Sequence, residues 1–241
     1  MNWFEQWFDS QYYHILYKNR DSKEAAFFID NILNIITVKK NQTFLDLACG
    51  TGRHAVYLNK KGFRVKGIDL SKQSLIQAKK YENETLRFEL QDMRRFSFKE
   101  KYDVVLNLFT SFGYFENNDD NQQVFQNVEK ALKKNGYFII DFLNVHKVAN
   151  NLQVNEKKIV ENIEFNIKRT HDTKFIYKHI SIIDAENSYS FTEKVRMIQK
   201  KEFIIYSKNS RMKLLHTFGD YALNKYNSES SNRLIMIFQK I

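Results

Sequence analysis

Apolar residues recur at two different periods along this chain, and the switch between them divides it. Trp3, Phe4, Trp7 and Phe8, then Tyr12, Tyr13, Leu16 and Tyr17, return at helical spacing. After Asp21-Ser22, a helix-start signal, Ala25, Ala26, Phe28, Ile29, Ile32, Leu33 and Ile36 form a second helical stripe. Residues 43–48 are instead a short apolar run, broken by Cys49-Gly50-Thr51-Gly52, which predicts a strand followed by a tight turn. A helix over 53–61 ends before Gly62. Residues 64–68 read as a strand with Asp69 at its end. Ser71 caps a helix to about Tyr81, and 86–90 are a third strand leading into Gln91-Asp92-Met93.

The spacing organises these elements. Asp46 and Asp69 are 23 residues apart, and so are Asp69 and Asp92. Each interval holds one helix and one strand, the alternation that right-handed crossovers produce in a parallel α/β sheet. A fourth strand is predicted at 102–108. A helix then runs through Val124, Phe125, Val128 and Leu132 until Asn135-Gly136 stops it, and a fifth strand occupies 137–142. Two-residue alternation over 159–167, 175–183 and 191–198 predicts three antiparallel strands, a small β insertion on the main sheet. Residues 201–209 fit a strand by the propensity of Phe203-Ile204-Ile205-Tyr206 and a crossover helix by topology. Residues 212–218 and 233–238 close the sheet as a hairpin.

Composition narrows the function classes. At 241 residues and 43% hydrophobic content the chain is one medium globular unit. A single cysteine excludes an intramolecular disulfide and a Cys-based zinc cluster. No apolar run reaches the roughly 18–20 residues of a membrane span, and the first residues lack the pattern of a secretory signal, so the expected location is cytoplasmic. The net charge of +10 comes from lysines scattered among Asn, Ile and Phe, with no arginine-rich block. It reads as background composition more readily than as a nucleic-acid footprint.

In an open parallel sheet, ligands bind beyond the carboxyl ends of the strands. The small-residue loop 48–52 lies there, where a ligand can approach the backbone and the next helix offers free N–H groups. Asp69 is placed to accept both hydroxyls of a ribose, and Asp92 to accept from an exocyclic adenine amine. Gly50-x-Gly52-x-x-Ala55 also satisfies a dinucleotide fingerprint. Asp46, four residues ahead of Gly50, separates the two readings: it would repel a pyrophosphate but suits a cationic ligand. S-adenosylmethionine fits that charge pattern better than NAD.

The segment Leu45-Asp46-Leu47-Ala48-Cys49-Gly50-Thr51-Gly52-Arg53-His54 resembles the first motif of class I S-adenosylmethionine-dependent methyltransferases. Gly67-Ile68-Asp69 resembles their second motif, Gln91-Asp92-Met93 their third and 103–107 their fourth, so that the likeness covers about residues 43–143. Phe218-Gly219-Asp220-Tyr221 through Ser231-Asn232-Arg233 is similar to the tail of small bacterial members. Ala48 stands where the family usually has its first glycine.

The resemblance implies an α/β, Rossmann-like, seven-stranded and mostly parallel sheet with helices on both faces. It is organised as an N-terminal helical lid (1–40), a cofactor-binding core (41–150), an antiparallel β insertion (151–200) and a C-terminal completion of the sheet (201–241). It also implies roles. Ala48, Gly50 and Gly52 border the methionine moiety. Asp46 holds the loop or the ammonium, Asp69 with Leu70 the ribose end, and Asp92 with Met93 the adenine. Asn107 and Leu108 face the transferring methyl, and the segment from Tyr12 through Tyr13 and His14 to Arg20 folds over the cofactor.

Methyl transfer from a sulfonium is an in-line displacement in which the protein aligns the reactants and excludes water. Should a base be needed, Tyr13, His14 and His146 are the candidates. Cys49 and His54 read as packing residues, and the histidines show no metal spacing. Phe109, Phe112, Tyr114 and Phe115 fit an acceptor pocket or a core equally well. The absence of proline rules out an Asn/Asp-Pro-Pro-aromatic loop after the fourth strand, where Asn107-Leu108-Phe109-Thr110 stands. That argues against the common exocyclic-amine DNA and glutamine methyltransferases. The expected acceptor is a small molecule entering between lid and insertion. The alternatives are an RNA methyltransferase, a non-catalytic adenosine-ligand or RNA-binding module, and an NAD-dependent oxidoreductase.

Overall fold

Seven strands pair in the order β10 (Met212–Phe218), β11 (Arg233–Lys240), β5 (Leu132–Leu143), β4 (Tyr102–Asn107), β1 (Thr43–Leu47), β2 (Arg64–Asp69), β3 (Leu86–Leu90). The structure is a computed structural model that describes residues 2–18, 22–98 and 102–241. All neighbours from β3 to β5 are parallel, and β11 alone runs against both of its partners. The strand order reverses between β1 and β4, which places the switch-point crevice beyond their carboxyl ends.

The strands are near-continuous apolar runs because both faces are covered. From β1, Phe44 points into one apolar cluster while Leu45 and Leu47 point into the other. α3 (Ser22–Ile35), α4 (Arg53–Lys60) and α5 (Lys72–Lys79) supply Phe28, Ile32, Leu58 and Leu75 to the Phe44 side. α6 (Asn118–Ala131) and α8 (Lys200–Lys208) supply Val124, Phe125, Phe203 and Tyr206 to the opposite side. The seven-stranded, mostly parallel, two-sided sheet expected from the spacing is present. Asp21 lies outside the described residues, and α3 begins at Ser22.

Four local expectations are corrected or resolved. β5 starts at Leu132, directly after α6, and not at 137. Its pairing to β4 shifts register between Tyr102 and Val104, and Asn135 absorbs the irregularity at a φ of 62°. The insertion has four strands, not three, and forms a sheet of its own: β6 (Asn155–Val160), β7 (Ile163–His171), β8 (Phe175–Asp184) and β9 (Asn187–Arg196). The single strand expected over 159–167 is folded in two by Glu161 and Asn162. Their φ values of 53° and 65° are those of a two-residue hairpin turn with left-handed central residues. Residues 200–208 are helical, so topology prevails over the β propensity of Phe203–Tyr206, numbered here as residues of α8. A short helix, α7 (Val145–Asn150), follows β5 where none was expected.

The N-terminal helices α1 (Trp3–Phe8) and α2 (Gln11–Leu16) join the two sheets. Phe4 enters the main core. Trp7, Tyr12 and Leu16 form a third cluster with Phe165, Ile167, Ile180 and Ile182 of the insertion. Among the described residues no helix is long and apolar enough to cross a membrane.

Candidate functional site

A cavity of about 970 Å³ opens at the carboxyl ends of β1, β2 and β4, roofed by α1 and α2 and flanked by β9. That is near the upper end of the ~300–1,000 Å³ range of small-molecule sites. Ala48, Cys49, Gly50 and Thr51 line its floor. Ala48 has a φ of 55° and Gly50 a φ of 56°, so the chain turns sharply as it leaves β1. A Cβ built on Gly50 would meet nothing within 4 Å, which leaves open space over the loop. Gly52 does a different job. It lies outside the cavity lining, and a Cβ there would come within 2.7 Å of the Phe88 ring, so this glycine lets α4 pack onto β3.

Three carboxylates stand on this rim. Asp69 accepts the Gly50 N–H at 2.7 Å with one oxygen and the Ser71 N–H at 2.7 Å with the other, which fixes the loop to the end of β2. Each oxygen keeps a further lone pair for a ligand. Burial pushes its pKa up, opposed by those backbone donors. Asp46 is 1% exposed, and its Oδ2 accepts from no group among the described residues. Burial first, then the neighbouring Asp69 charge, raises its pKa to about 7 against the pull of Arg53. Burial also holds the Cys49 thiol well above its ordinary value, which suits the packing role expected for it.

Asp92 lines the cavity but is gripped from behind. Arg94 donates to both of its oxygens, through Nε at 3.1 and 3.0 Å and Nη2 at 2.6 Å, and reaches Asp120 at 3.2 Å through Nη1. This pairing raises the Arg94 pKa. The guanidinium also lies 4.8 Å from the centre of the Phe115 ring.

Leu70, Met93, Leu108, Tyr13 and His14 line the same cavity as Asp46, Ala48, Gly50, Asp69 and Asp92, so the structure brings these predicted positions together. Three predicted residues are not brought to it. Gly52 packs against Phe88, as described. Asn107 is fully buried one position before the cavity wall; its Nδ2 donates to the Leu47 and Ser111 carbonyls and ties β1 to the loop after β4. His146 is exposed on α7, with Nε2 2.9 Å from Glu229, and does not line the cavity. Arg20 lies outside the described residues.

The sequence reading missed a second buried constellation. Asp141, fully buried on β5, accepts Arg233 Nε at 2.7 Å, the Phe109 N–H at 2.8 Å and the Tyr221 hydroxyl at 3.1 Å. Arg233 Nη2 donates to the Thr110 hydroxyl at 2.7 Å. Phe109 and Thr110 both have positive φ, 65° and 60°, and these bonds hold them there. Arg53 lies 4.2 Å over the Phe109 ring. The available signal was a lone aspartate inside the apolar run 137–142, a buried charge that requires a partner. Asp9 was also missed. From the end of α1 it accepts from Ser71 Oγ at 3.0 Å and from the Gln73 N–H at 2.8 Å, tying α1 to the start of α5.

A glycine loop and paired acids at the switch point of a 3-2-1-4-5 parallel sheet, completed by an antiparallel hairpin, define the class I methyltransferase fold. Residues 44–136 match the family model described as "Methyltransferase domain". A Bacillus subtilis protein provisionally named as a methyltransferase, YqeM, is 37% identical over 108 residues, 44% of this chain and 44% of that protein. Glycine/sarcosine N-methyltransferase of Aphanothece halophytica is 32% identical over 131 residues, 51% of this chain and 46% of that one. The chain thus aligns with less than half the length of these curated relatives. Over the whole fold, a crystal structure of an S-adenosylmethionine-dependent methyltransferase from Clostridium acetobutylicum superposes with a TM-score of 0.79 at 22% identity, covering 95% of this chain and 96% of that one.

Proposed function

We propose that this protein transfers a methyl group from S-adenosylmethionine to a small-molecule acceptor. The observation that carries the reading is the rim itself: Asp69 clamps the Gly50 loop by its backbone while Asp46, Asp69 and Asp92 face one cavity. Asp69 would take the ribose hydroxyls, Asp92 and Met93 the adenine edge, and the open space over Gly50 the methionine moiety. The buried Asp46 oxygen without a donor favours a ligand that carries an ammonium, and a pyrophosphate has none. When bound, the sulfonium supplies the electrophilic methyl. This chain's residues then align the acceptor and keep water out beneath α1 and α2.

A small acceptor is supported by the cavity volume and by the relatives. One is named for glycine and sarcosine, and another, from Streptomyces venezuelae and 25% identical over 131 residues, for a nucleotide-linked amino sugar. With the absence of any long apolar helix among the described residues, a cytoplasmic site of action is part of the same proposal.

Calorimetry tests it. S-adenosylhomocysteine is expected to bind at micromolar concentration and NAD not to bind. Asp69→Ala is expected to weaken S-adenosylhomocysteine about a hundredfold, since a charged hydrogen-bonding group contributes roughly 1.5–3 kcal/mol. Unchanged affinity in that variant, or tight NAD binding, would overturn the reading. A labelled-methyl screen of metabolite pools then finds the acceptor.

A further inference from the structure

The wall opposite the rim carries a carboxylate that the cofactor reading leaves unused. Glu193, on β9, lines the cavity. One of its oxygens does all the anchoring: Oε1 accepts the Trp7 indole N–H at 2.7 Å and the Tyr17 hydroxyl at 2.9 Å, with Lys178 Nζ at 3.7 Å. Lys178 itself donates to the Tyr17 hydroxyl. Oε2 accepts from no residue among the described ones. A carboxylate with α1 and the end of α2 fastened to one oxygen is held in place, and its second oxygen is left to accept from a ligand in the cavity.

Around it the cavity is aromatic. Phe8, Tyr13 and Tyr114 line the same space and pack edge to face or tilted, with ring centres 5.0 Å apart for Phe8 and Tyr13 and 5.2 Å for Phe8 and Tyr114. The Tyr114 hydroxyl is committed to the Thr110 carbonyl, so that ring presents its body and not its polar tip. Aromatic faces and a fixed carboxylate together are the chemistry that recognises an alkylammonium.

We infer that Glu193 and the rings of Phe8, Tyr13 and Tyr114 form the acceptor subsite and that the acceptor is an amine. This rests on the methyltransferase reading above. Glu193 Oε2 accepts an N–H from the neutral amine, which turns the nitrogen lone pair away from the carboxylate. The lone pair forms the new N–C bond to the methyl carbon as the S–C bond breaks, and that bond's electron pair returns to sulfur, leaving a neutral thioether. Nitrogen becomes positive in this step and then loses its proton to solvent. The carboxylate and the rings stabilise the charge as it develops, so their attraction is stronger in the transition state than for the neutral substrate.

The test uses choline, a methylated ammonium, and its neutral isostere 3,3-dimethylbutan-1-ol, titrated into the full chain without cofactor, with S-adenosylhomocysteine titrated in parallel. Choline is expected to bind at least about tenfold more tightly than the isostere, and Glu193→Gln, which keeps an oxygen for Trp7 and Tyr17, to lose most of that preference. Equal binding of the two probes, or an unchanged preference in Glu193→Gln, would overturn the amine subsite. Because that comparison in the unaltered protein needs no variant, misfolding of Glu193→Gln cannot hide the answer. S-adenosylhomocysteine binding without choline preference sinks this inference and leaves the methyltransferase reading standing. Choline preference without S-adenosylhomocysteine binding sinks the latter, and with it the transfer step.

Discussion

The two halves of the cavity are stabilised in opposite ways. The rim, made by the ends of β1, β2 and β4, holds unfavourable features. Ala48, Phe109 and Thr110 sit in left-handed backbone conformations, and Asp46 is a buried carboxylate whose pKa is raised to about 7. The wall, made by α1, α2 and β9, is held by packing: Trp7 is fully buried among insertion side chains, and its N–H is bonded to Glu193. A rim that remains unrelaxed in the folded chain is what a charged ligand can relieve, whereas a packed wall offers shape. The contrast teaches that the backbone strain and the buried charge sit where the rigid sheet can hold them, while side-chain packing shapes the other side of the site.

The largest test strikes the wall. Trp7→Ala removes a fully buried ring and the indole donor, and a buried Trp→Ala change costs about 3–5 kcal/mol. The loss is expected to fall on the lid and the insertion. In hydrogen exchange, amides of α1, α2 and β9 should lose protection while β1 and β4 keep theirs. Equal loss in the central strands would mean that wall and rim form one cooperative unit, and the contrast would fail.

The rim was legible in the sequence and the wall was not, for a physical reason. Asp46, Asp69 and Asp92 lie at or within two residues of the ends of β1, β2 and β3, and one strand–helix step has a nearly fixed length, so their regular spacing predicted that the acids meet. Glu193, Trp7 and Tyr17 meet across 176 or more residues of sequence separation, through packing of α1 and α2 on a separate sheet, and no local pattern encodes that. The turn at Glu161 and Asn162 was hidden because Ile159, Ile163, Phe165 and Ile167 keep two-residue alternation across it. The hairpin puts Val160 opposite Ile163 and leaves Ile159 68% exposed. Asn107 was expected in the site from the family resemblance and His146 as a possible base; the side-chain amide of the first donates to backbone carbonyls, and the second pairs with Glu229.

A test of intermediate size addresses the rim's buried charge. The Asp46 pKa is raised by folding, so between about pH 4 and about 7 the native state holds a proton that the unfolded chain has lost. Its contribution to stability is therefore present at low pH and is lost as pH rises through that window, by at most about 1.4 kcal/mol per pH unit. Asp46→Asn removes the titration while keeping an oxygen for the Ala55 N–H. Urea denaturation at pH 4, 5.5 and 7.5 is expected to show the variant gaining on the unaltered protein as pH rises. Parallel stability curves would mean that Asp46 is not strained by its burial.

The smallest test addresses the rim's backbone. Ala48 occupies the left-handed region at a φ of 55°, where an L-residue pays roughly 1–2 kcal/mol that glycine does not. Glycine, in turn, gives the unfolded chain more freedom, at about 0.4–1 kcal/mol. The difference favours Ala48→Gly by about 0.5 kcal/mol, a modest upward shift in thermal midpoint. Ala48 lines the cavity and is part-exposed, outside the buried core, so its truncation is expected to open no buried void. The affinity for S-adenosylhomocysteine is expected to stay within about twofold, because Asp69 still clamps the next turn through Gly50. A destabilised Ala48→Gly would show that the loop is held in its left-handed turn without cost, and backbone strain at the rim would then be confined to Phe109 and Thr110.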